Sequence, residues 1–188
     1  MIVLAFGANL TSVHGEPITA LEKALELMPS LGISVRRRSS WYRTPAITPY
    51  AQPPYVNGVA VVEAALPPVD LLRMLHRIEA MFGRVRRVRW GERTIDIDLL
   101  DYNGLVVPPV GRRGADAGLG ELPLALPHPG IPDRGFVLVP LAEVAPEWRH
   151  PVTGQGPEEL LDRLRAAQGI GALAGIEKIT TRNGAPIA

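Results

Sequence analysis

Cysteine is absent from the 188-residue chain. Without thiols, neither a disulfide framework nor a thiolate metal site or nucleophile is possible. Lysine is nearly absent too: of the 20 basic residues, 18 are arginine and only Lys23 and Lys178 are lysine. The formal net charge is +1, so the chain has no global electrostatic field that would attract nucleic acid or a membrane surface.

Long apolar runs are missing as well. None approaches the ~20 residues that cross a bilayer, and the apolar segment 1–10 has neither the basic start nor the cleavage site of a signal peptide. We therefore expect a cytoplasmic protein with no membrane partner. We also expect a monomer with no nucleic-acid partner, although no feature of the sequence fixes the oligomeric state. Hydrophobic residues make up 46% of the chain and charged residues 21%, which excludes disorder along its whole length.

The order of patterned segments predicts an α+β fold. Four runs have the apolar or β-branched character of strands: 2–6, 33–43, 59–66 and 93–102. Helical stripes begin at Pro17 and at Pro68. The order β-α-β-β-α-β is that of a ferredoxin-like sandwich, an antiparallel sheet with two helices packed on one face.

The C-terminal half is less regular. Residues 108–123 have no periodicity and are expected to form a surface excursion. Residues 136–144 fit either a helix or a strand, and 158–167 predict an amphipathic helix. We expect a single domain over 1–167 and a tail over 168–188.

The sharpest chemical signal is a carboxylate pair in the last strand of the pattern. Aspartate is depleted in strands, yet Asp96 and Asp98 share one face there, opposite Ile97. Their Cα atoms would lie about 6.6 Å apart, which suits two metal ions such as Mg²⁺ in phosphoryl transfer. The alternative is a solvent-facing strand edge that carries carboxylates to prevent aggregation.

A segment rich in arginine precedes this pair. Residues 84–93 contain five arginines and Trp90. Guanidinium groups bind phosphate oxygens bidentately, and Gly83 and Gly91 would let the segment close as a lid. Alone, such a cluster could be a solvated basic face, although an exposed tryptophan fits that alternative poorly.

Two further segments carry candidate binding groups. Between 41 and 57 lies a proline-rich loop, and at its exit Asn57 and Tyr55 could bind a flat heterocycle. Taken alone, this segment favours the alternative of a proline-stiffened connection with Tyr55 in the core. His128 lies between two prolines, where it is either a ligand or an exposed spectator. The chain has no GxxxxGK[ST] motif, so a P-loop does not hold phosphate here.

Together these segments resemble the 6-hydroxymethyl-7,8-dihydropterin pyrophosphokinase family of folate biosynthesis. The resemblance runs from the first strand to about Thr153 and includes the strings GANL, YRTP, QPPYVN, RIE, GRVR, RWGERTIDIDLL and LPHPGIPDRGFVLVPLAEVAP. It implies the ferredoxin-like fold. It also implies transfer of the β,γ-pyrophosphoryl group of ATP to the hydroxymethyl oxygen of the pterin, with release of AMP.

The resemblance also implies roles for individual residues. Asp96 and Asp98 would bind two Mg²⁺ ions, and Arg84 and Arg93 would act with them in catalysis. The residues implied at ATP are Arg77, Glu79, Arg84, Arg93, His128 and Arg134. Those implied at the pterin are Thr44, Pro45, Ala46, Ile47, Tyr55, Asn57, Trp90 and Phe136.

Two other classes of protein share parts of this pattern. An RNA-binding module can use the same fold, but it needs aromatic residues on its central strands, where this chain offers only Phe6. A metal-dependent nuclease or phosphatase could use the carboxylates and arginines, but it has no need of a pterin slot.

Overall fold

The computed structural model describes residues 1–46, 51–84, 92–108 and 124–180. The strands in these ranges are β1 (Ile2–Ala8), β2 (Ile33–Arg38), β3 (Tyr42–Thr44), β4 (Tyr55–Ala64), β5 (Asp96–Tyr102) and β6 (Glu177–Lys178). The α-helices are α1 (Pro17–Leu27), α2 (Pro68–Met81), α3 (Gly135–Val144) and α4 (Pro157–Gln168).

The strands form one sheet in the order β5-β1-β4-β3-β6, and β2 lies beside β4 along the same edge as β3. All the pairs are antiparallel. The predicted ferredoxin-like arrangement is confirmed, because β1 and β4 are neighbours inside the sheet and β5, the last strand of the repeat, pairs with β1 at the edge. Helices cover both faces of β1, so this strand is buried and has an almost continuous apolar sequence.

Helices cover both faces of this sheet. On one face lies the first core, where Leu21 and Leu25 of α1 pack with Leu75 and Ile78 of α2, as the stripes predict. On the other face lies the second core, where α3 and α4 pack over Val3, Val59, Val61 and Leu100. The sequence predicts that the two helices of the repeat pack on one face of the sheet. The C-terminal helices α3 and α4 form a second layer on the other face.

Three predicted boundaries differ from the structure. The expected strand 33–43 is interrupted between Arg38 and Tyr42, where the Trp41 ring enters the first core beside Gly58. The strand expected from Arg93 begins at Asp96, because the backbone of Arg93 is bonded to the turn after β1. The strand expected over 59–66 is β4, which runs from Tyr55 to Ala64 because residues 55–57 pair with β3. Residues 136–144, for which the pattern permits a helix or a strand, form most of α3.

The tail and the excursion lie partly outside the described residues. Most of the expected excursion, 109–123, and the last residues, 181–188, belong to that undescribed part. Residues 169–180 are described, and within them β6 pairs with β3. In the described part of the chain, no helix is long and apolar enough to cross a membrane.

Candidate active site

A cleft of about 320 Å³ opens at one end of the face that α3 and α4 cover. Nine of the residues proposed from sequence line it: Thr44, Pro45, Tyr55, Asn57, Arg93, Asp96, Asp98, Arg134 and Phe136. Its volume lies within the range of small-molecule sites. The structure therefore gathers residues that are up to 92 positions apart in the sequence into one concavity.

Small residues on β1 form the floor of this cleft. Ala5 and Gly7 both line it, on the face where Val3 packs against the second core. Gly7 is paired with Asn57 on β4 and with Asp96 on β5. Because neighbouring strands lie ~4.8 Å apart, the Cα atoms of these two partners lie roughly 10 Å apart across β1.

Asn57 forms a buried polar contact on the β4 side of the floor. Its Nδ2 donates to Oγ1 of Thr44 on β3 at 2.6 Å. Gly7 makes room for the amide, since a Cβ at position 7 would lie 2.8 Å from Oδ1 of Asn57. A rigid amide is thus held in the cleft lining, with a fixed orientation toward any ligand there.

Two aromatic residues also line the cleft. Tyr55 begins β4 and is half-buried, and Phe136 lies in the first turn of α3. Burial raises the pKa of Tyr55, although the nearby Arg93 lowers it. The alternative in which Tyr55 belongs to the core is wrong, because its side chain lines the cleft.

Asp96 is bound by two arginines on the β5 side. Arg84 contacts one of its carboxylate oxygens and Arg93 contacts the other. Arg84 also contacts Glu79, whose buried carboxylate accepts the backbone N–H of Ile97 at 2.8 Å. Burial, and then the charge of Arg84, lower the pKa of Arg93, but an arginine at such a site remains charged.

Asp98 is the more accessible of the two carboxylates. Its side chain is 39% exposed, and its Oδ2 lies 3.9 Å from the guanidinium of Arg134. Arg134 folds back over Gly130, where a Cβ would lie 2.7 Å from the guanidinium carbon. Among the described residues, Arg134 at 3.9 Å is the arginine nearest to Asp98, which lies on the same face of β5 as Asp96.

His128 lies beside this pair. Its Nδ1 accepts the backbone N–H of Gly130 at 3.0 Å, so the neutral ring carries its proton on Nε2. Burial lowers the pKa of His128; the charge of Asp98 opposes this, and that of Arg134 adds to it. The ring is thus neutral near pH 7 and offers one N–H donor.

The pattern did not identify two residues at the cleft. Asn9 follows β1, and its buried Oδ1 accepts the N–H of Arg93 at 2.8 Å while its Nδ2 donates to the carbonyl of Pro53 at 3.2 Å. It thereby ties together the segments on both sides of the cleft. Asp133 lines the cleft as a third carboxylate beside Asp96 and Asp98, and its place in the PDRGF string is the available signal.

Other proposed residues lie outside the cleft lining. Arg77 is exposed on α2, and Ala46 is half-buried next to Pro45. Ile47 and Trp90 belong to the residues that the structure does not describe, as does most of the proposed lid, 85–91. Within the described ranges, no group of three or more His, Cys, Asp or Glu side chains is arranged to hold a metal ion.

Comparison with known proteins agrees with this geometry. Residues 3–146 match the family described as 7,8-dihydro-6-hydroxymethylpterin-pyrophosphokinase (HPPK). A Synechocystis 2-amino-4-hydroxy-6-hydroxymethyldihydropteridine pyrophosphokinase is 39% identical over 163 residues, which cover 86% of this chain and 75% of the relative. The enzyme of that name from Methylorubrum extorquens is 39% identical over 162 residues, which cover 86% and 91%.

A solved structure shows the same fold. The crystal structure of wild-type Plasmodium falciparum HPPK-DHPS superposes with a TM-score of 0.67 at 14% identity. The superposition covers 99% of this chain, which spans about half of the Plasmodium chain at 49%.

The fold and the cleft define a class of protein first. An α+β sandwich with a small-molecule cleft that combines paired carboxylates and arginines fits an enzyme that transfers phosphoryl groups. The family match makes the assignment specific: the chain belongs to the 7,8-dihydro-6-hydroxymethylpterin pyrophosphokinase family, whose members are diphosphotransferases.

Proposed function

We propose that this cleft transfers the β,γ-pyrophosphoryl group of ATP to the hydroxymethyl oxygen of 6-hydroxymethyl-7,8-dihydropterin and releases AMP. One observation carries the proposal. The buried amide of Asn57 and the carboxylate–arginine cluster at Asp96 lie on opposite sides of β1, about 10 Å apart. That separation lets a heterocycle lie over one side while the group to be transferred lies over the other.

The β4 side of the cleft is proposed to bind the pterin. Asn57 offers both a donor and an acceptor to the edge of the ring, and Thr44 fixes its orientation. Tyr55 and Phe136 offer aromatic faces, and Pro45 adds an apolar contact. Ala46, Ile47 and Trp90 are proposed to complete this pocket, as the resemblance implies.

The β5 side is proposed to bind the triphosphate. Arg84, Arg93 and Arg134 present planar, permanently charged donors, and the Nε2–H of His128 is a neutral donor beside them. Glu79 holds Arg84 through a buried contact. Arg77, on the same helix, is proposed to contribute at the outer edge of the nucleotide site.

Charge balance supports a need for added cations. Arg84, Arg93 and Arg134 face the four carboxylates Glu79, Asp96, Asp98 and Asp133. These described groups have a formal charge of −1, so they cannot neutralise a triphosphate. Asp96 and Asp98 supply the hard oxygen ligands that Mg²⁺ prefers, and Mg²⁺ commonly binds through one or two carboxylates together with substrate phosphates.

We therefore propose that Asp96 and Asp98 hold two Mg²⁺ ions together with ATP. When bound there, Mg²⁺ adds positive charge at the triphosphate and helps to align it. The chain's own residues bind and orient both substrates, and Arg84 and Arg93 stabilise the charge that develops during transfer.

The extent of the catalytic unit also belongs to this proposal. We take residues 1–167 as the pyrophosphokinase domain, because the described cleft lining and all buried residues of both cores fall within them. Beyond residue 167, Leu173 and Ile179 pack against the edges of these cores and are partly buried. A cytoplasmic location and a monomeric state stay predictions.

A thermal-shift measurement tests the proposed ligands. Addition of a non-hydrolysable ATP analogue with Mg²⁺, followed by 6-hydroxymethylpterin, should raise the melting temperature in two steps. A single-stranded RNA should leave it unchanged. A shift with RNA and none with the pterin would favour the RNA-binding alternative over the proposed reaction.

A further inference from the structure

The C-terminal segment 169–180, here called the strap, contacts the pterin side of the cleft although it lies beyond the family match, which ends at residue 146. Its strand β6 pairs with β3, with Lys178 opposite Tyr42. The backbone N–H of Ile179 donates to the carbonyl of Trp41 at 2.8 Å. The strap thus provides hydrogen-bond partners along the outer edge of β3, which is only three residues long.

Glu143 on α3 connects the strap to that strand. Its carboxylate accepts the hydroxyl of Tyr42 at 2.8 Å and the ammonium group of Lys178 at 2.9 Å. It also accepts the backbone N–H and the hydroxyl of Ser40, at 3.1 and 2.9 Å. Burial would raise the pKa of Glu143, but the hydrogen bonds from Lys178, Tyr42 and Ser40 outweigh it and lower the pKa.

The strap also contacts the cleft wall directly. Gly175 has a φ of +74°, and a Cβ there would lie 3.3 Å from Cδ of Pro45. Such a contact is tighter than ordinary van der Waals packing, so any side chain at this position would press on Pro45. Pro45 lines the cleft and follows Thr44, the residue that orients Asn57.

We propose that the strap positions the pterin wall of the cleft, with Gly175 and the Lys178–Glu143 pair as positioning residues for pterin binding. This inference rests on the proposed function, since it assumes that Pro45, Thr44 and Asn57 contact the pterin. The order of strands places β6 at one edge of the sheet and β5, with its carboxylates, at the other. A defect in the strap should therefore affect the pterin and spare ATP.

Two variants test this in the full-length protein. Gly175→Ala introduces the contact with Pro45, and Lys178→Met removes the ion pair while keeping much of the side-chain length. We expect each to weaken binding of 6-hydroxymethylpterin roughly tenfold, measured by calorimetry with a saturating non-hydrolysable ATP analogue, because small displacements at a binding wall have effects of this size. Affinity for the ATP analogue should change less than about twofold.

Matched controls separate this effect from general destabilisation. Gly154→Ala, outside the strap, places a side chain at nearly the same φ, +72°, but nothing lies within 4 Å of its Cβ. Arg165→Met removes an exposed ion pair with Asp162 on α4. Both controls should bind the pterin like the wild type, and Lys178→Arg should restore most of the affinity that Lys178→Met loses.

The outcomes distinguish two failures. If the wild type binds no pterin, the proposed function fails. If the wild type binds it and both strap variants bind it equally well, or lose pterin and ATP affinity in parallel, the strap proposal is overturned. In steady-state kinetics the proposal predicts a raised KM for the pterin with an unchanged KM for ATP. Should Gly175→Ala fail to fold, Lys178→Met decides.

Discussion

At the scale of single residues, the two carboxylates of β5 differ in their surroundings. The sequence places Asp96 and Asp98 side by side, and from that alone one expects mutual repulsion, so that neutralising either would stabilise the fold slightly. The structure overturns this expectation for Asp96, because Arg84 and Arg93 both contact it. Within the described ranges, the ion pair of Asp98 is a longer one, with the guanidinium of Arg134 at 3.9 Å.

This difference separates stability from activity in the two asparagine variants. Asp96→Asn should lower the free energy of unfolding by about 1–3 kcal/mol, since it leaves two arginines less well paired. Asp98→Asn should change it by less than about 0.5 kcal/mol. If the two aspartates hold Mg²⁺, turnover should fall roughly 100-fold or more in each variant.

Urea unfolding and turnover at saturating Mg²⁺ measure these two quantities. Asp133→Asn is the matched control, because Asp133 lines the same cleft but is not a proposed metal ligand. Near-normal turnover of Asp98→Asn would contradict the metal assignment. Equal losses in Asp98→Asn and Asp133→Asn would show that only the charge of the cleft matters.

Asn57 offers the residue-scale test of the pterin side. Asn57→Ala removes a hydrogen-bond donor and an acceptor from the site. The polar groups of the pterin that faced Asn57 would then lose their bound water on binding without gaining a hydrogen bond in return. We expect pterin affinity to fall at least about tenfold and ATP affinity to stay within about twofold. Calorimetry with each ligand measures both, and equal losses would make Asn57 a purely structural residue.

At the scale of elements, the sequence predicts those whose pattern is local. The stripe of α2 is an example, because Leu71, Leu75 and Ile78 recur at helical spacing and all three are buried. Strand β5 is another, since Ile97 and Leu99 alternate with the two aspartates. Helix α3 could not be assigned, because it is apolar on nearly every side and contains Pro140, so no periodicity distinguishes it from a strand.

The site could be predicted as a set of side chains but not as a surface. Asp96 and Asp98 stand out as polar groups in a strand pattern, and Asn57 stands out as an amide at the exit of a proline-rich loop. Ala5 and Gly7, which form the floor between them, look like ordinary residues of a buried strand. Their role follows only from the register, which pairs Gly7 with Asn57 and Asp96.

Gly7→Ala tests that floor. The new Cβ would lie 2.8 Å from Oδ1 of Asn57 and must displace the amide. We expect pterin affinity to fall roughly tenfold. In an Asn57→Ala background the same change should have little further effect, because the displaced atom is already gone. Additive losses in this double-mutant cycle would show that Gly7 acts on the cleft in another way.

At the scale of the whole molecule, two cores lie on opposite faces of one sheet, and the second extends beyond the repeat. Trp148 and His150, after α3, belong to this region: the Trp148 indole N–H donates to the buried Asp101 at 2.9 Å. The His150 ring packs edge-on against Trp148 with 5.8 Å between centroids. Its Nδ1 accepts the N–H groups of Val152 and Thr153, both at 3.3 Å.

This packing predicts an acid-sensitive fold. Burial lowers the pKa of His150 and Arg163 lowers it further, while Asp101 opposes both. The unfolded chain therefore binds a proton at higher pH than the folded chain does, so stability is greatest above about pH 6.5 and declines as the pH falls below it. In His150→Asn, whose amide oxygen can still accept a backbone N–H, part of that decline should disappear.

Urea unfolding of both proteins between about pH 5 and 8 measures this. The stability of the wild type relative to His150→Asn should decrease as the pH falls. Parallel curves would show that His150 does not titrate differently in the folded and unfolded states.

The central claim concerns the whole chain: that it moves pyrophosphate from ATP to a hydroxymethylpterin. The most direct measurement is AMP formation with purified protein, ATP, Mg²⁺ and 6-hydroxymethyl-7,8-dihydropterin. We predict that the protein forms AMP and the pterin diphosphate in equal amounts, only when ATP, Mg²⁺ and the pterin are all present, and that it forms neither with a pterin that lacks the hydroxymethyl group. Release of ADP or orthophosphate instead, or AMP formation that does not depend on the pterin, would contradict the account.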